Sequence, residues 1–337
     1  MKTLITLLFL SGALLSSTAP SPVPSSSSTP VKGPDARDVP PSKIKVLIVD
    51  GFSNHDWKKT TELLKGFLEP KGLFDISVST TPPPKSTEGW DTWRPRFKDY
   101  DVVIQTCNDI SNSGPLWPPA VMTDFENYVR DGGGVYIYHG AQNAFAKWPA
   151  YNDIIGLGWR PVTYGTAISI DANEKLVLHP PGEGKATSHA PKGDVVIHLL
   201  GNHPIHEGMP KAWMTPALEV YYYARGPAQN VEVLSYAKDP RYGENWPIEW
   251  IVTYGKGHAY ISTFGHVWAD DVDPESMRCV GVRTTIIRVL QWLAKRPVTW
   301  PIPKNFPTAT EKSIVPPAMK PTAANSTGST ANLPAKP

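Results

Sequence analysis

The chain has 337 residues, which allows one large domain or two small ones with an ample core. Its formal net charge is only +2, without a basic stripe or an acidic block, which argues against a nucleic-acid partner. The 36 prolines are concentrated toward both ends, which indicates a folded centre between flexible flanks.

The N-terminus has the pattern of an export signal. Lys2 precedes an apolar run from Leu4 to Leu15, and Ser17-Thr18-Ala19 resembles a small-residue cleavage site. The run of about 12 residues is shorter than the ~20 that span a bilayer. We therefore expect a signal peptide over residues 1–19, a secreted or periplasmic protein, and no stable membrane span after cleavage. An uncleaved N-terminal anchor is the alternative.

Segments rich in proline flank the predicted domain. Residues 20–42, which are also rich in serine, have no apolar period and are typical of a linker. Residues 301–337 have the same character and predict a disordered tail. The folded domain is therefore expected over residues 43–300.

Strands and helices alternate in the first half of this domain. Short apolar runs predict strands at 44–49, 74–79, 101–106 and 135–138. Helical stripes follow Asp56 and Pro118. This order predicts an α/β fold with a mostly parallel sheet and helices on both faces, whose ligands bind at the carboxyl ends of the strands.

The second half is less regular. Further strands are predicted at 167–171, 194–198, 231–236, 250–254 and 258–263, and a closing helix within 275–295. Cys107 follows a predicted strand and Cys279 falls in the closing helix. The two cysteines could form one disulfide or remain two buried thiols.

Four histidines lie where a strand or a glycine turn ends: His55, His139, His203 and His266. Because the strand ends at one edge of a parallel sheet converge, we expect these side chains to line one pocket rather than to be scattered at the surface. His139 occupies the strand–turn–helix position that exposes a nucleophile in other α/β proteins. A histidine there suits proton transfer rather than serine-type acyl transfer.

Glu219 lies among aromatic residues in Leu218-Glu219-Val220-Tyr221. If desolvated, its carboxyl group could act as an acid or base beside a histidine, although a buried structural acid is the alternative. The four histidines are at least 63 positions apart and form no short-range zinc motif. The sequence therefore predicts no cofactor, and a metal remains a minor alternative.

The chain has 12 tryptophans, many of them in predicted loops, including Trp148, Trp159 and Trp268. Aromatic faces pack well on the apolar faces of sugars. A few of these indoles could therefore form a sugar platform, while most would be core residues.

Several segments together resemble the trehalose-utilisation (ThuA-like) family over residues 43–300. They are KVLIVDGFSNHDW, GGGVYIYHGAQNAF with the following Trp148, NHPIHEGMP and PIEWIVTYGKGHAYISTFGH. The resemblance implies a flavodoxin-like core related to class I glutamine amidotransferases, with histidine in place of the amidotransferase cysteine. It also implies a role in carbohydrate metabolism.

Carried over position by position, the resemblance marks His55, His139, His203, Glu219 with Tyr221, and His266. The chain departs from the family pattern at three places. Leu218 replaces an aspartate, His258 replaces an arginine, and Arg160 with Pro161 stands where a His-Pro pair is expected. These differences bear on the substrate, and the last of them disfavours a metal.

The preferred hypothesis is an enzyme that isomerises a sugar or keto-sugar, or eliminates from it, by histidine and glutamate acid–base chemistry. The expected catalytic residues are His139, Glu219, His55, His203 and His266. The expected substrate-binding residues are Asn54, Asp56, Gln142, Tyr221 and Trp148. A glycoside hydrolase, with Asp56 as a second acid, and a non-catalytic carbohydrate-binding protein are the alternatives.

Overall fold

The computed structural model describes residues 42–110 and 117–317. Its strands are β1 Ile44–Asp50, β2 Phe74–Thr80, β3 Val102–Gln105, β4 Gly134–Tyr138, β5 Thr166–Ile170, β6 Leu176–His179, β7 Ser188–His189, β8 Gly193–Leu199, β9 Ala212–Leu218, β10 Tyr221–Tyr222, β11 Arg225–Gly226, β12 Val231–Lys238, β13 Asn245–Tyr254 and β14 Gly257–Ser262. Its α-helices are α1 Trp57–Leu68, α2 Pro119–Arg130, α3 Pro149–Ile155, α4 Glu275–Arg278 and α5 Val280–Leu293.

The parallel part of the main sheet has the order β2-β1-β3-β4-β14, and every pairing within it is parallel. This is the flavodoxin-like order, with the late strand β14 in the fifth position. The predicted α/β fold with mostly parallel central strands is confirmed. All carboxyl ends in this part of the sheet therefore point to one edge.

Helices cover both faces of the parallel strands, as predicted. Leu64, Phe67 and Leu68 of α1 share one core with the apolar residues of α5. The other core contains Phe125 of α2 and Ile154 of α3. Strands β1, β3 and β4 are fully or almost fully buried because helices lie on both sides of them.

The sheet continues from β14 through β13, β12, β8 and β9 with antiparallel pairings. Strands β5 and β6 form a further antiparallel extension beside β13. Strands β6 and β9 were not predicted. In β6, Leu176, Val177 and Leu178 are all exposed, so the strand lacks the in–out alternation on which a prediction rests.

The predicted closing helix is divided at Cys279, whose extended backbone separates α4 from α5 and forms a bridge to Ile314. Cys107 and Cys279 are both buried, free thiols. The ordered domain also continues past residue 300: the backbone N–H of Val280 donates to Ser313, and Phe306 packs on Trp213. The expected disordered tail is therefore wrong for residues 301–317.

The predicted signal peptide, most of the predicted linker and residues 318–337 lie outside the described residues. Within residues 42–110 and 117–317, no helix is both long enough and apolar enough to cross a membrane.

Candidate functional site

Three histidines meet at the carboxyl edge of the parallel strands. His55 follows β1, His139 directly follows β4, and His266 follows β14. The Nε2 atoms of His55 and His139 are 3.3 Å apart. One ring nitrogen from each of the three side chains lies within 4.8 Å of the other two. We call these three residues the histidine cluster.

The turn after β4 holds His139 in a defined orientation. Its backbone lies in the left-handed region with φ of 43°, which non-glycine residues seldom adopt, and a short 3-10 turn over His139–Asn143 follows. The ring Nδ1 of His139 contacts the carbonyl oxygen of Thr263 at 2.8 Å, so it carries the proton and Nε2 faces His55. The missing side chain at Gly140 leaves room for His55: a Cβ there would lie 2.9 Å from that ring.

All three imidazoles are held neutral at physiological pH. Burial, reinforced by His266 and His189, lowers the pKa of His55 to about 3. Burial lowers the pKa of His139 well below its ordinary value, with His55 and His266 adding to the effect. Burial also lowers the pKa of His266, although Glu219 opposes that shift. The cluster therefore offers lone pairs rather than positive charge.

Carboxylates surround His266 on two sides. Its Nε2 lies 3.5 Å from Oε1 of Glu219, and its Nδ1 lies 3.7 Å from Oδ2 of Asp271. The same Glu219 oxygen lies 3.7 Å from Nδ1 of His189. Partial burial opposes ionisation of Asp271, but hydrogen bonds from the Trp268 amide and Lys192 lower its pKa overall. Imidazole and carboxylate groups, which can both take up and release protons, are therefore adjacent.

An open cavity of about 540 Å³ lies over this arrangement, within the size range of small-molecule sites. Two indoles, Trp159 and Trp268, form part of its wall, with Tyr221 between Trp159 and His139. Trp268 stacks on His266 with an interplanar angle of 12°. The remaining lining residues are Asn54, His55, Ile110, Asn143, His189, Lys192, Glu219, His266, Asp270 and Asp271.

The structure brings six of the predicted site residues together: His55, His139, His266, Glu219, Asn54 and Tyr221. His139 is only 2 % exposed and lies behind His55 and His266, so it does not line the large cavity.

His203 lies elsewhere, contrary to expectation. Its ring contacts Trp292, which in turn contacts His258 at the beginning of β14. The cluster lies beyond the other end of that strand. The predicted convergence fails for His203 because the preceding strand, β8, belongs to the antiparallel part of the sheet, where strand direction alternates.

Three predicted substrate-binding residues do not line the cavity. The carboxylate of Asp56 accepts from the Lys59 amide and caps α1. Trp148 is buried in the aromatic core and donates its indole N–H to Glu126. Gln142 is fully buried in the turn after β4 and does not line the cavity.

Sequence reasoning missed His189, Lys192 and Asp271 as site residues. They lie on irregular segments around the short strand β7 and after His266, where no periodic pattern marks a strand end. The available signal was the acidic run Asp270-Asp271 just after the Gly265-His266 pair.

Comparison with known proteins agrees with this architecture. The family model described as "ThuA: Trehalose utilisation" matches residues 45–292. A ThuA-like protein from Parabacteroides merdae has 32% identity and a TM-score of 0.74, over 81% of this chain and 98% of that one. No curated protein matches the sequence significantly.

Other solved structures are more distant. A glutamine amidotransferase from Thermotoga maritima has 11% identity and a TM-score of 0.43, over 75% of this chain and 99% of that one. A β-galactosidase from Rahnella sp. R3 has 14% identity and a TM-score of 0.42, over 76% of this chain and 32% of that one. Similarity at this level carries no functional information, whereas the family match spans most of the domain. This chain belongs to the ThuA, trehalose-utilisation, family.

Proposed function

We propose that this protein is an exported enzyme that moves a proton next to the carbonyl group of a keto-sugar, giving isomerisation or elimination. The observation that carries the proposal is the position of Glu219. The residue is only 9 % exposed, and its carboxylate lies between His266 and His189 and faces a cavity walled by two indoles. A base beside a hydrogen-bond donor is the minimum arrangement for enolisation.

The cavity wall favours a carbohydrate substrate. Trp159 and Trp268 offer flat apolar faces for sugar C–H groups, while Asn54, Lys192 and Asp270 offer polar atoms for hydroxyl groups. The trehalose-utilisation family supports the same substrate class.

The chemical roles follow from burial and protonation. Glu219 abstracts the proton next to the carbonyl, and Tyr221 donates a hydrogen bond to the developing enolate oxygen. Burial, with a further contribution from Glu219, raises the pKa of Tyr221, so its hydroxyl stays protonated. His139 was expected to be the base, but its position behind His55 and His266 makes it a positioning residue in this proposal.

The test is proton exchange in deuterated water. Keto-disaccharides are incubated with the protein, and NMR follows both loss of the proton next to the carbonyl and product formation. Glu219→Gln should reduce the rate by about 100- to 10,000-fold, the usual contribution of a general acid–base group. Glu207→Gln, at an exposed glutamate near His203, is the matched control and should leave the rate unchanged.

Three results would each contradict a part of the proposal. Equal rates for wild type and Glu219→Gln would exclude Glu219 as the base. Tight binding of keto-sugars without exchange or turnover would instead favour the non-catalytic carbohydrate-binding alternative. Equal turnover by wild type and His139→Ala would exclude any role for His139.

Glycoside hydrolysis is the second candidate, and Asp271 favours it. Two carboxylates flank the glycosidic bond in most glycosidases. Asp56 does not supply the second carboxylate here. Glu219 lies beside Nε2 of His266, and Asp271 lies beside Nδ1 of the same ring. Hydrolysis of unoxidised glycosides, lost in both Glu219→Gln and Asp271→Asn, would support this candidate over enolisation.

Export is a separate part of the proposal, supported by the pattern of residues 1–19. Mass spectrometry of the protein recovered outside the cytoplasm should show a new N-terminus near residue 20. An intact Met1 on an exclusively cytoplasmic protein would contradict it.

A further inference from the structure

We infer that the histidine cluster, His55, His139 and His266, is a binding site for a divalent transition metal with one coordination position open to the cavity. Metal binding itself stands independently of the proposed sugar chemistry. Only its role, polarising the carbonyl oxygen of the substrate, rests on the proposed function.

The distances suit a zinc-sized ion. Zinc–nitrogen bonds of about 2.0–2.1 Å at a tetrahedral angle place two ligand nitrogens about 3.3 Å apart. The Nε2 atoms of His55 and His139 are 3.3 Å apart. The third nitrogen, on His266, lies within 4.8 Å of both. Closing that gap to the tetrahedral spacing requires a shift of no more than about 1.5 Å.

A hydrogen bond to His139 and a carboxylate beside His266 orient these two rings as ligands. The Thr263 carbonyl oxygen holds the Nδ1 proton of His139, which leaves the Nε2 lone pair directed at the cluster. Nδ1 of His266 faces the carboxylate of Asp271, the outer partner often found behind a metal-bound histidine.

The donor set selects the class of metal. Three imidazoles suit zinc, cobalt, nickel or copper, whereas magnesium and calcium prefer oxygen ligands. Three protein ligands with an open fourth position are typical of catalytic rather than structural zinc. His55 and His266 line the cavity, so the open position faces the substrate space beside Glu219.

A hydrogen bond between two neutral histidines is the competing explanation of the 3.3 Å contact. In that arrangement His55 donates through Nε2 to His139, and its Nδ1 must then accept a hydrogen bond. That atom is buried and has no partner among the described residues. With a metal bound, both Nε2 atoms act as ligands and Nδ1 of His55 carries the proton, so that atom lacks a partner among the described residues in either arrangement. The metal titration therefore decides between the two explanations.

The site is tested by metal binding to the full chain without substrate. The protein is stripped with a chelator, dialysed, and titrated with Co²⁺ in the visible range and with Zn²⁺ by calorimetry. One equivalent of each should bind, and Co²⁺ should give the intense absorption of a four- or five-coordinate nitrogen site. Absence of that absorption in the folded wild-type protein would overturn the inference without recourse to any variant.

Variants assign the ligands. His55→Gln and His266→Gln should each weaken Zn²⁺ binding by at least about 100-fold, since even loss of an outer partner costs 10- to 100-fold. His203→Gln, at a histidine outside the cluster, should bind as wild type does. Circular dichroism confirms that each variant is folded. Equal affinity in all three variants would overturn the inference.

The outcomes separate this inference from the proposed function. One equivalent of bound Zn²⁺ with no turnover of any keto-sugar supports the site and contradicts the function. Turnover by chelator-treated protein that binds neither Zn²⁺ nor Co²⁺ contradicts the site and supports the function.

Discussion

Two histidine–carboxylate arrangements in this molecule differ in how many of their polar atoms have hydrogen-bond partners. In the antiparallel part of the sheet, Glu249 is fully buried and accepts hydrogen bonds from Ser235 and Tyr260, with His206 Nε2 at 3.2 Å. At the carboxyl edge of the parallel part, Glu219 lies 3.5 Å from His266 and borders a cavity.

This difference distinguishes the structural network at Glu249 from the candidate functional site at Glu219. A buried polar network that satisfies every member stabilises one conformation. The arrangement at Glu219 leaves capacity unused: the buried Nδ1 of His55 and Oδ1 of Asn143 find no hydrogen-bond partner within the described part of the chain. Buried polar atoms without a hydrogen-bond partner next to a cavity can bind a ligand.

The largest expected effect is on stability, from Glu249→Ala. Removing this carboxylate leaves the ring of His206 and two hydroxyl groups unpaired in the core, and should lower the free energy of unfolding by about 3–5 kcal/mol. Glu219→Ala, at the cavity wall, should change it by less than about 1 kcal/mol. Urea unfolding measures both. Equal losses would mean that Glu219 is as structural as Glu249.

The stability of the protein should depend on pH through Glu249. Burial raises the pKa of Glu249, but His206 and the hydrogen bonds from Ser235 and Tyr260 lower it overall, below its ordinary value of 4.5. The unfolded chain therefore takes up this proton first, and stability should fall as pH drops below about 4.5. Thermal unfolding from pH 6 to pH 3 measures the slope, which Glu249→Gln should reduce. An unchanged slope contradicts the assignment.

Gly140→Ala tests the histidine cluster directly, because it should displace the ring of His55. The new Cβ would lie 2.9 Å from the His55 ring, so the ring must move, at a cost of about 1–3 kcal/mol. Turnover should fall with it. Gly66→Ala is the control. Gly66 is exposed on α1, no atom beyond its chain neighbours and the helix backbone lies within 4 Å of the added Cβ, and the change should stabilise by up to about 1 kcal/mol. Unfolding and turnover assays on both variants decide; full turnover in Gly140→Ala would contradict the placement of His55.

The smallest expected effect is that of Asp56→Ala. Loss of the cap on α1 should reduce stability by about 0.5–2 kcal/mol. Because the carboxylate does not line the cavity, kcat and KM should stay within about twofold of wild type. A large rise in KM would restore Asp56 as a substrate-binding residue.

The positions of the site residues could be predicted from the sequence in the parallel part of the sheet but not in the antiparallel part. Where buried parallel strands alternate with helices, apolar runs marked the elements, and the ends of β1, β4 and β14 marked His55, His139 and His266. The same argument failed for His203, because alternating strand direction in the antiparallel part sends successive strand ends to opposite edges.

The sequence by itself determined the α/β architecture and the family, and it predicted the carboxyl edge as the place of the candidate site. Local patterns suffice for these because hydropathy and its periodicity along the chain are properties of neighbouring residues. Only the tertiary structure decided that three histidines more than 60 positions apart meet within 4.8 Å, that Asp271 and His189 join them, and that Trp148 belongs to the core. Those facts depend on how distant loops pack against one another, which no local pattern encodes.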